Sequence, residues 1–309
     1  MSQHSAFPVI TYRDVNKKHT LRDVGVQAQS ASRKQQGFTL IELIIVIVIL
    51  GIVSVSISGI VRSAMDTVVA VSERDSLVRE GSYLLERFNR EIAGSVPNSV
   101  RVSGNALAHC VEFVPLKWSA TYLTLPLAGE ASTTVDLIEL SDINGRAFTP
   151  TTSDYALVYP TSSAHVYNAS LGHRREVQSC NDEDSTCDGA GDADKVVQLS
   201  VNDGFVQTSP AKRLYFIENA ISYCMRSNQV FRHVNPINET QSIYTEGGSR
   251  MANNLVNQLG TSPNAGEQNP FRNMQASFQR NAYTQALFIF GREDERITFM
   301  QEVQTPNVP

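Results

Sequence analysis

The chain has 309 residues, of which 41% are hydrophobic and 18% charged, which excludes a wholly disordered polymer and leaves room for one or two packed domains. The net charge of −5 is unevenly placed: residues 1–37 carry six Lys/Arg against two Asp, a local +4, so the remainder carries −9. An acidic remainder argues against phosphate-backbone recognition, which needs clustered Lys and Arg, and no nucleic-acid partner is expected.

The basic stretch ends at Arg33-Lys34-Gln35-Gln36-Gly37-Phe38-Thr39-Leu40-Ile41-Glu42. Nineteen uncharged residues, Leu43 to Val61, follow before Arg62. A helix rises about 1.5 Å per residue, so a segment over 38–61 reaches about 36 Å, enough for a hydrocarbon core about 30 Å thick. Basic residues ahead of an apolar span favour retention of that end in the cytoplasm. An ordinary secretory signal is cut after its apolar core, at small residues. Here the small residue, Gly37, stands before the core.

Gly37 to Glu42 resembles the class III signal of the type IV pilin family almost letter for letter. The resemblance implies cleavage by a prepilin peptidase between Gly37 and Phe38, followed by N-methylation of Phe38 by the same enzyme. It also implies that Glu42, then the fifth mature residue, pairs with the N-terminal amine of a neighbouring subunit. Physical chemistry supports a role for Glu42, because an unpaired carboxylate in an apolar helix costs several kcal/mol and the first turn of a helix favours negative charge. A leader of 37 residues is longer than is usual in that family, and no Met lies between Met1 and Met65. Either the leader is unusually long or translation starts at a non-AUG codon at Leu21, Val24 or Val26, and the second reading is favoured.

Beyond the apolar run, Leu77, Gly81, Leu84, Leu85, Phe88 and Ile92 recur at helical spacing, with Glu73, Arg74, Asp75, Arg79, Glu80, Glu86, Arg87, Arg90 and Glu91 between them. Gly94 and Pro97 mark a stop. The pattern predicts one stem helix from Phe38 to near Ala93, apolar all round over 38–61 and amphipathic over 62–94. Gly51, Ser54, Ser56, Ser58 and Gly59 interrupt the apolar half, suiting either close helix packing or a segment that kinks or partly melts in a filament.

After Pro97 the period changes to short strands. They are Cys110–Leu116, Thr121–Leu125, Val135–Leu140, Tyr155–Tyr159, Val196–Val201, Arg213–Ile217, Ile221–Met225, Val230–Val234, Ala286–Phe290 and Arg296–Val303. The fold class is α+β: the stem helix packed on a mostly antiparallel β head over 95–309. Residues 236–284 read as a polar insertion, partly helical near Arg250–Leu259.

All four cysteines follow the apolar segment, and an even count in an exported domain predicts two disulfides. Of three connectivities, Cys180–Cys187 with Cys110–Cys224 is favoured: the first closes a short polar loop and the second joins two strand-like segments. Asp182, Asp184, Asp188, Asp192 and Asp194 cluster in that loop and could hold calcium, although the spacing is not that of an EF-hand and a solvated acidic loop is the simpler expectation. No other cofactor is expected. The sequence has no His-Glu-x-x-His, Gly-x-Ser-x-Gly, Walker or dinucleotide motif and reads as a structural subunit, not an enzyme. His109 reads as a strand residue, His165 and His173 flank a polar loop, and Trp118 with Tyr122 reads as packing before a sugar-facing pair.

The head resembles the O-type minor pilins of the mannose-sensitive haemagglutinin (MSHA) type IV pilus. The resemblance is carried by His109-Cys110-Val111-Glu112-Phe113-Val114-Pro115, by Arg213-Leu214-Tyr215-Phe216-Ile217 leading to Ile221-Ser222-Tyr223-Cys224, and by Ile297-Thr298-Phe299-Met300-Gln301-Glu302-Val303 with Asn307-Val308-Pro309. W-type minor pilins and J-type pseudopilins of type II secretion are similar in layout. The resemblance implies a low-copy subunit that primes or caps a filament, and a single-pass inner-membrane protein with a periplasmic head before assembly. Its implied partners are the prepilin peptidase, other major and minor pilins, and an inner-membrane assembly platform with its ATPase. A J-type pseudopilin or a pilus-tip adhesin are the alternatives.

Overall fold

The computed structural model describes residues 37–138, 140, 148–181, 187, 195–263, 266–274, 282–292 and 295–304. The chain divides into two units, Met1–Arg62 and Ser63–Pro309. Helix α1 (Leu40–Ala93) contributes to both. Thr39 starts it: the Glu42 amide donates to Thr39 Oγ1 at 3.3 Å and the Leu43 amide to the Thr39 carbonyl at 3.2 Å. This cap moves the start two residues past the expected Phe38.

In the first unit, every described residue of α1 is solvent-facing. In the second, the chain forms β1 (Arg101–Gly104), β2 (Ala108–Phe113), β3 (Trp118–Thr124), β4 (Thr134–Ile138), β5 (Tyr155–Val158), α2 (Ser163–Tyr167), β6 (Arg174–Asn181) and β7 (Val196–Val201). It continues with β8 (Arg213–Ile217), β9 (Ala220–Arg226), β10 (Gln229–Asn235), β11 (Ser249–Ala252), β12 (Phe271–Met274), β13 (Tyr283–Arg292) and β14 (Glu295–Gln304). The architecture is α+β, a long N-terminal helix followed by antiparallel sheets.

The strands sort into three groups: a sheet ordered β1-β2-β9-β10-β11, a sheet ordered β12-β13-β14, and a closed barrel ordered β3-β4-β7-β6-β5-β8. The barrel has its own core, with Val135, Leu137, Ala156, Val158, Val177, Val197, Leu199, Leu214 and Phe216 buried inside. All ten strands read from alternation are present. Four strands escaped that reading. β6 is mostly polar, with Val177 its one buried aliphatic side chain, and β1, β11 and β12 have four residues each.

The expected helix near Arg250–Leu259 is absent. Met251, Ala252 and Leu255 are buried at near-helical spacing, but the free edge of β10 takes 249–252 as β11. Asn254 then turns at φ 57°, and Val256 donates to the Ile289 carbonyl of β13 at 2.7 Å. Tertiary pairing outweighs a weak local helical preference here.

The amphipathic half of α1 lies on the two open sheets. Leu77, Gly81, Leu84, Phe88 and Ile92 are its buried residues. Phe88 sits 5.5 Å from Tyr223 and 5.7 Å from Phe271, ring centre to ring centre. Gly81 is required by close approach, since a Cβ there would run into the Phe299 ring of β14. Polar contacts frame this face. Glu80 accepts from the Asn253 amide and from Asn254, and Glu91 accepts from Arg232 at 2.9 Å and Arg87 at 3.0 Å.

The opposite face of β2-β9-β10 is crossed by residues 236–248. Arg101 donates to the Asn238 carbonyl at 2.8 Å and the Glu239 carbonyl at 2.6 Å. Gln241 donates to the Cys110 carbonyl at 3.3 Å, and Arg226 holds the carbonyls of Tyr244 and Gly247 at 3.1 and 2.6 Å. With cover on both faces, all seven residues of β9 are buried.

Two predictions follow from the helix-bearing face. Gly81→Leu should destabilise the protein by about 1–3 kcal/mol through overpacking against Phe299. Thermal unfolding in detergent should show a smaller penalty for that change in a Phe299→Ala background. Burial works against the Glu91 charge, but the hydrogen bonds from Arg232 and Arg87 outweigh it and hold this carboxyl below its ordinary range. Its stabilisation is therefore complete above the unfolded carboxylate pKa of about 4.3 and is lost as pH falls through the lower folded value. Glu91→Gln should cost about 1.5–3 kcal/mol at pH 7, and the gap in melting temperature should narrow at acid pH.

Candidate functional site

The candidate site is the segment from Gly37 into the first half of α1. Gly37 and Phe38 precede the helix in irregular backbone. A Cβ at Gly37 would meet no described atom within 4 Å, and Phe38 is 87% exposed, so among the described residues nothing crowds the Gly37–Phe38 peptide bond. Thr39 and Glu42 stand at the spacing of a capping box, Thr-x-x-Glu, and the Thr39 half of it is formed. Glu42 lies in the first turn, where the free amides of the helix favour a carboxylate.

From Leu43 to Val61 the helix carries no charge and is apolar apart from its serines. Among the described residues nothing buries this apolar stretch. By length and composition this half can cross a membrane. The serines do not break its apolar character. Ser54, Ser56 and Ser58 each donate to the carbonyl four residues earlier, at 2.7, 3.2 and 2.8 Å. The helix runs without interruption through Gly51 and Gly59, so in the isolated chain the segment expected to kink or melt is helical.

Of the other singled-out residues, Cys110 and Cys224 face each other in register on β2 and β9, 4.1 Å apart at Cα, and are joined by a disulfide. Cys180, in β6, is joined to Cys187. Asp182, Asp184, Asp188, Asp192 and Asp194 lie outside the described residues. Among the described residues, no group of three or more His, Cys, Asp or Glu side chains is placed to hold a metal.

Trp118 stacks on Phe148 with centroids 5.4 Å apart, and Tyr122 is buried with its hydroxyl accepting from the Ser209 amide at 2.6 Å. The two do not form an exposed aromatic ledge. His109 is buried in β2 and stacks on Phe271. His165 and His173 meet face to face at 3.7 Å, and burial, then His173, pushes the His165 imidazole below its ordinary value.

Sequence reading missed the polar residues that bind segments of the head together. Arg101 donates to Glu112 at 2.8 Å and lies 3.5 Å over the Tyr167 ring. Arg232 reaches Glu91 across 141 residues. Neither pair has a local spacing that would disclose it. The one usable signal is position, since Glu91 directly precedes Ile92 at the end of the apolar stripe.

No curated protein and no solved structure matches the chain. Residues 32–58 match the family model for the prokaryotic N-terminal methylation motif. This match covers Gly37, Phe38, Glu42 and the first nineteen residues of α1. The chain thus carries the N-terminal signal of type IV pilin-like and pseudopilin-like proteins, joined to a helix of membrane-spanning length and an α+β head.

Proposed function

We propose that this chain is a minor pilin of an MSHA-like type IV pilus that helps to initiate the filament or cap its tip. The observation that carries the reading is the unburied apolar half of α1 set directly behind an open Gly37–Phe38 bond within the methylation motif. A helix so exposed needs lipid before assembly and the helices of other subunits afterwards. Cleavage after Gly37 by a prepilin peptidase frees a positive amine at Phe38, which the same enzyme methylates. Glu42 then lies one helical turn from that charge, and in a packed bundle it pairs with the amine of the next subunit. The MSHA assignment rests on the resemblance of the head segments around Cys110, Tyr223 and Phe299. The minor role rests on the head's bulk, with a closed barrel added to the two open sheets, which suits a filament end better than a tightly packed shaft.

In this reading the protein is a structural subunit, held in the inner membrane with its head in the periplasm and then carried into a surface filament. Its partners are the peptidase, other pilins, and the assembly platform with its ATPase. The acidic loop with Asp182, Asp184, Asp188, Asp192 and Asp194 is read as solvated, with calcium binding there the second reading, which an unchanged melting temperature in calcium and in chelator would remove.

Processing and assembly can be separated by two substitutions. Gly37→Leu should leave the precursor uncut, with loss of N-methylated Phe38 in intact-mass spectra. Glu42→Ala should be cut normally yet be depleted from sheared filaments; normal incorporation of this variant would refute the pairing role. Deletion of the whole chain should reduce surface pili. Intact pili with lost exoprotein secretion would instead identify a type II secretion pseudopilin, and intact pili with lost attachment a tip adhesin.

A further inference from the structure

Lys117, Asp154 and Glu218 meet at one end of the barrel. Lys117 directly precedes β3, Asp154 directly precedes β5, and Glu218 directly follows β8, the strand that pairs with both. The Lys117 ammonium donates to Asp154 Oδ1 at 2.5 Å and to Glu218 Oε2 at 2.9 Å. The backbone holds the first two in place. The Lys117 amide donates to the Phe216 carbonyl at 2.9 Å, and the Val177 amide donates to the Asp154 carbonyl at 3.1 Å. The Asp154 side chain is wholly buried, whereas those of Lys117 and Glu218 are 33% and 37% exposed. Asp154 Oδ2 accepts from the Thr151 amide at 2.8 Å and from Thr151 Oγ1 at 3.1 Å.

An ion pair alone does not need this division of roles between the two oxygens of Asp154. Oδ1 faces the amine, while Oδ2 faces two fixed donors that would stabilise negative charge on it. Acyl transfer needs these parts: a nucleophile at the carboxyl group, preorganised donors for the oxyanion, and a base beside the nucleophile. We infer that Lys117 and Asp154 join in an intramolecular isopeptide bond, with Glu218 as the proton relay. Nζ bonds to Asp154 Cγ, the Cγ–Oδ1 bond breaks, and Oδ1 leaves as water with two protons from the ammonium. Ammonium and carboxylate thus become a neutral amide and water, and no oxidant or further reactant is required. Burial lowers the Lys117 pKa, but the bonds to Asp154 and Glu218 outweigh it and hold the ammonium above its ordinary range. The amine therefore reacts only after giving up a proton, which is the step that Glu218 serves. Holding the two groups in contact supplies effective molarities of about 10⁵–10⁸ M in well-oriented cases. In the product Oδ2 is the amide oxygen and keeps both Thr151 donors. The bond spans the end of β8 and ties β3 to β5 across 37 residues, so barrel closure no longer rests on hydrogen bonds alone. Like a disulfide, it also restricts the unfolded chain.

The test uses the full chain from its native membrane, reduced and digested with trypsin. A branched peptide is expected, joining the segment around Lys117 to the segment around Asp154 and lighter than their sum by one water. Trypsin should cut after Lys195 and Lys212 but not after Lys117. Lys117→Arg keeps the charge without the amine and should give linear peptides only. Glu218→Gln should slow the appearance of the branched peptide after synthesis by about a hundredfold. Linear peptides alone from the unaltered chain overturn the proposal and leave an ion pair only, a result that depends on no variant folding. A branch to Glu218 in place of Asp154 overturns it, as does an unslowed reaction in Glu218→Gln. None of these readouts needs a filament or a processed N-terminus, so the result stands apart from the pilin reading.

Discussion

The first half of α1 has an apolar surface that no other described residue covers. Leu40, Ile41, Leu43, Ile52, Val55 and Ile60 are all between 61% and 76% exposed. Burying a side chain of this kind is worth about 1.5–3 kcal/mol. Over the whole run the deficit reaches tens of kcal/mol, more than the net stability of a typical domain. By length and composition the segment suits lipid or the company of other apolar helices. Its backbone is ready for either, because every amide after the first turn is bonded within the helix and the three serines turn their hydroxyls back onto it. Thr39 supplies the remaining cap at the end where a processed N-terminus would lie.

That demand explains why the second half of α1 differs. Once the helix becomes amphipathic, one stripe can be satisfied at home. Leu77, Leu84, Phe88 and Ile92 fill a core shared with both open sheets. Gly81 gives Phe299 access to the helix backbone at the price of helix propensity. The strands then need cover on their other face, and residues 236–248 provide it through carbonyls held by Arg101 and Arg226. The Cys110–Cys224 disulfide sits beneath this strap and ties the two central strands across 114 residues. The barrel adds a separate hydrophobic core, sealed by its own closure.

Much of this was legible in the sequence because it is periodic. The stem helix, its stop at Gly94, and strands such as Arg213-Leu214-Tyr215-Phe216-Ile217 are written in spacing alone. The methylation motif was legible because Gly37, Phe38 and Glu42 stand at fixed offsets beside an apolar run. What could not be read is non-local. Closure of six strands into a barrel depends on partners such as Trp118 and Phe216, and no short pattern separates that from an open sheet. The segment at Met251 to Leu255 misled because its buried residues have helical spacing, while the decisive factor was an open edge on β10. β6 was invisible because its side chains Arg174, Arg175 and Glu176 are polar, yet the strand is needed to close the barrel.

Two carboxylates on opposite faces of the same sheet show how charge enters this fold. Burial is the largest single influence at both. At Glu91 two guanidiniums, from Arg232 and Arg87, overcome it and the pKa falls. At Glu112 burial prevails over the single guanidinium of Arg101 and the Ser222 hydroxyl, and the pKa rises. The signs have opposite consequences. A depressed carboxyl stabilises the fold while ionised, and that contribution disappears in acid. A raised carboxyl opposes the fold while ionised, and protonation relieves the penalty as pH falls through its folded value. Acid therefore weakens the helix-bearing face through Glu91 while it removes a strain of charge beneath the strap at Glu112. Arg101 does not depend on Glu112 alone, since it also holds the carbonyls of Asn238 and Glu239 and covers the Tyr167 ring. The strap keeps those anchors when Glu112 is neutral, whereas the joint between α1 and β10 relies on the Glu91 charge itself.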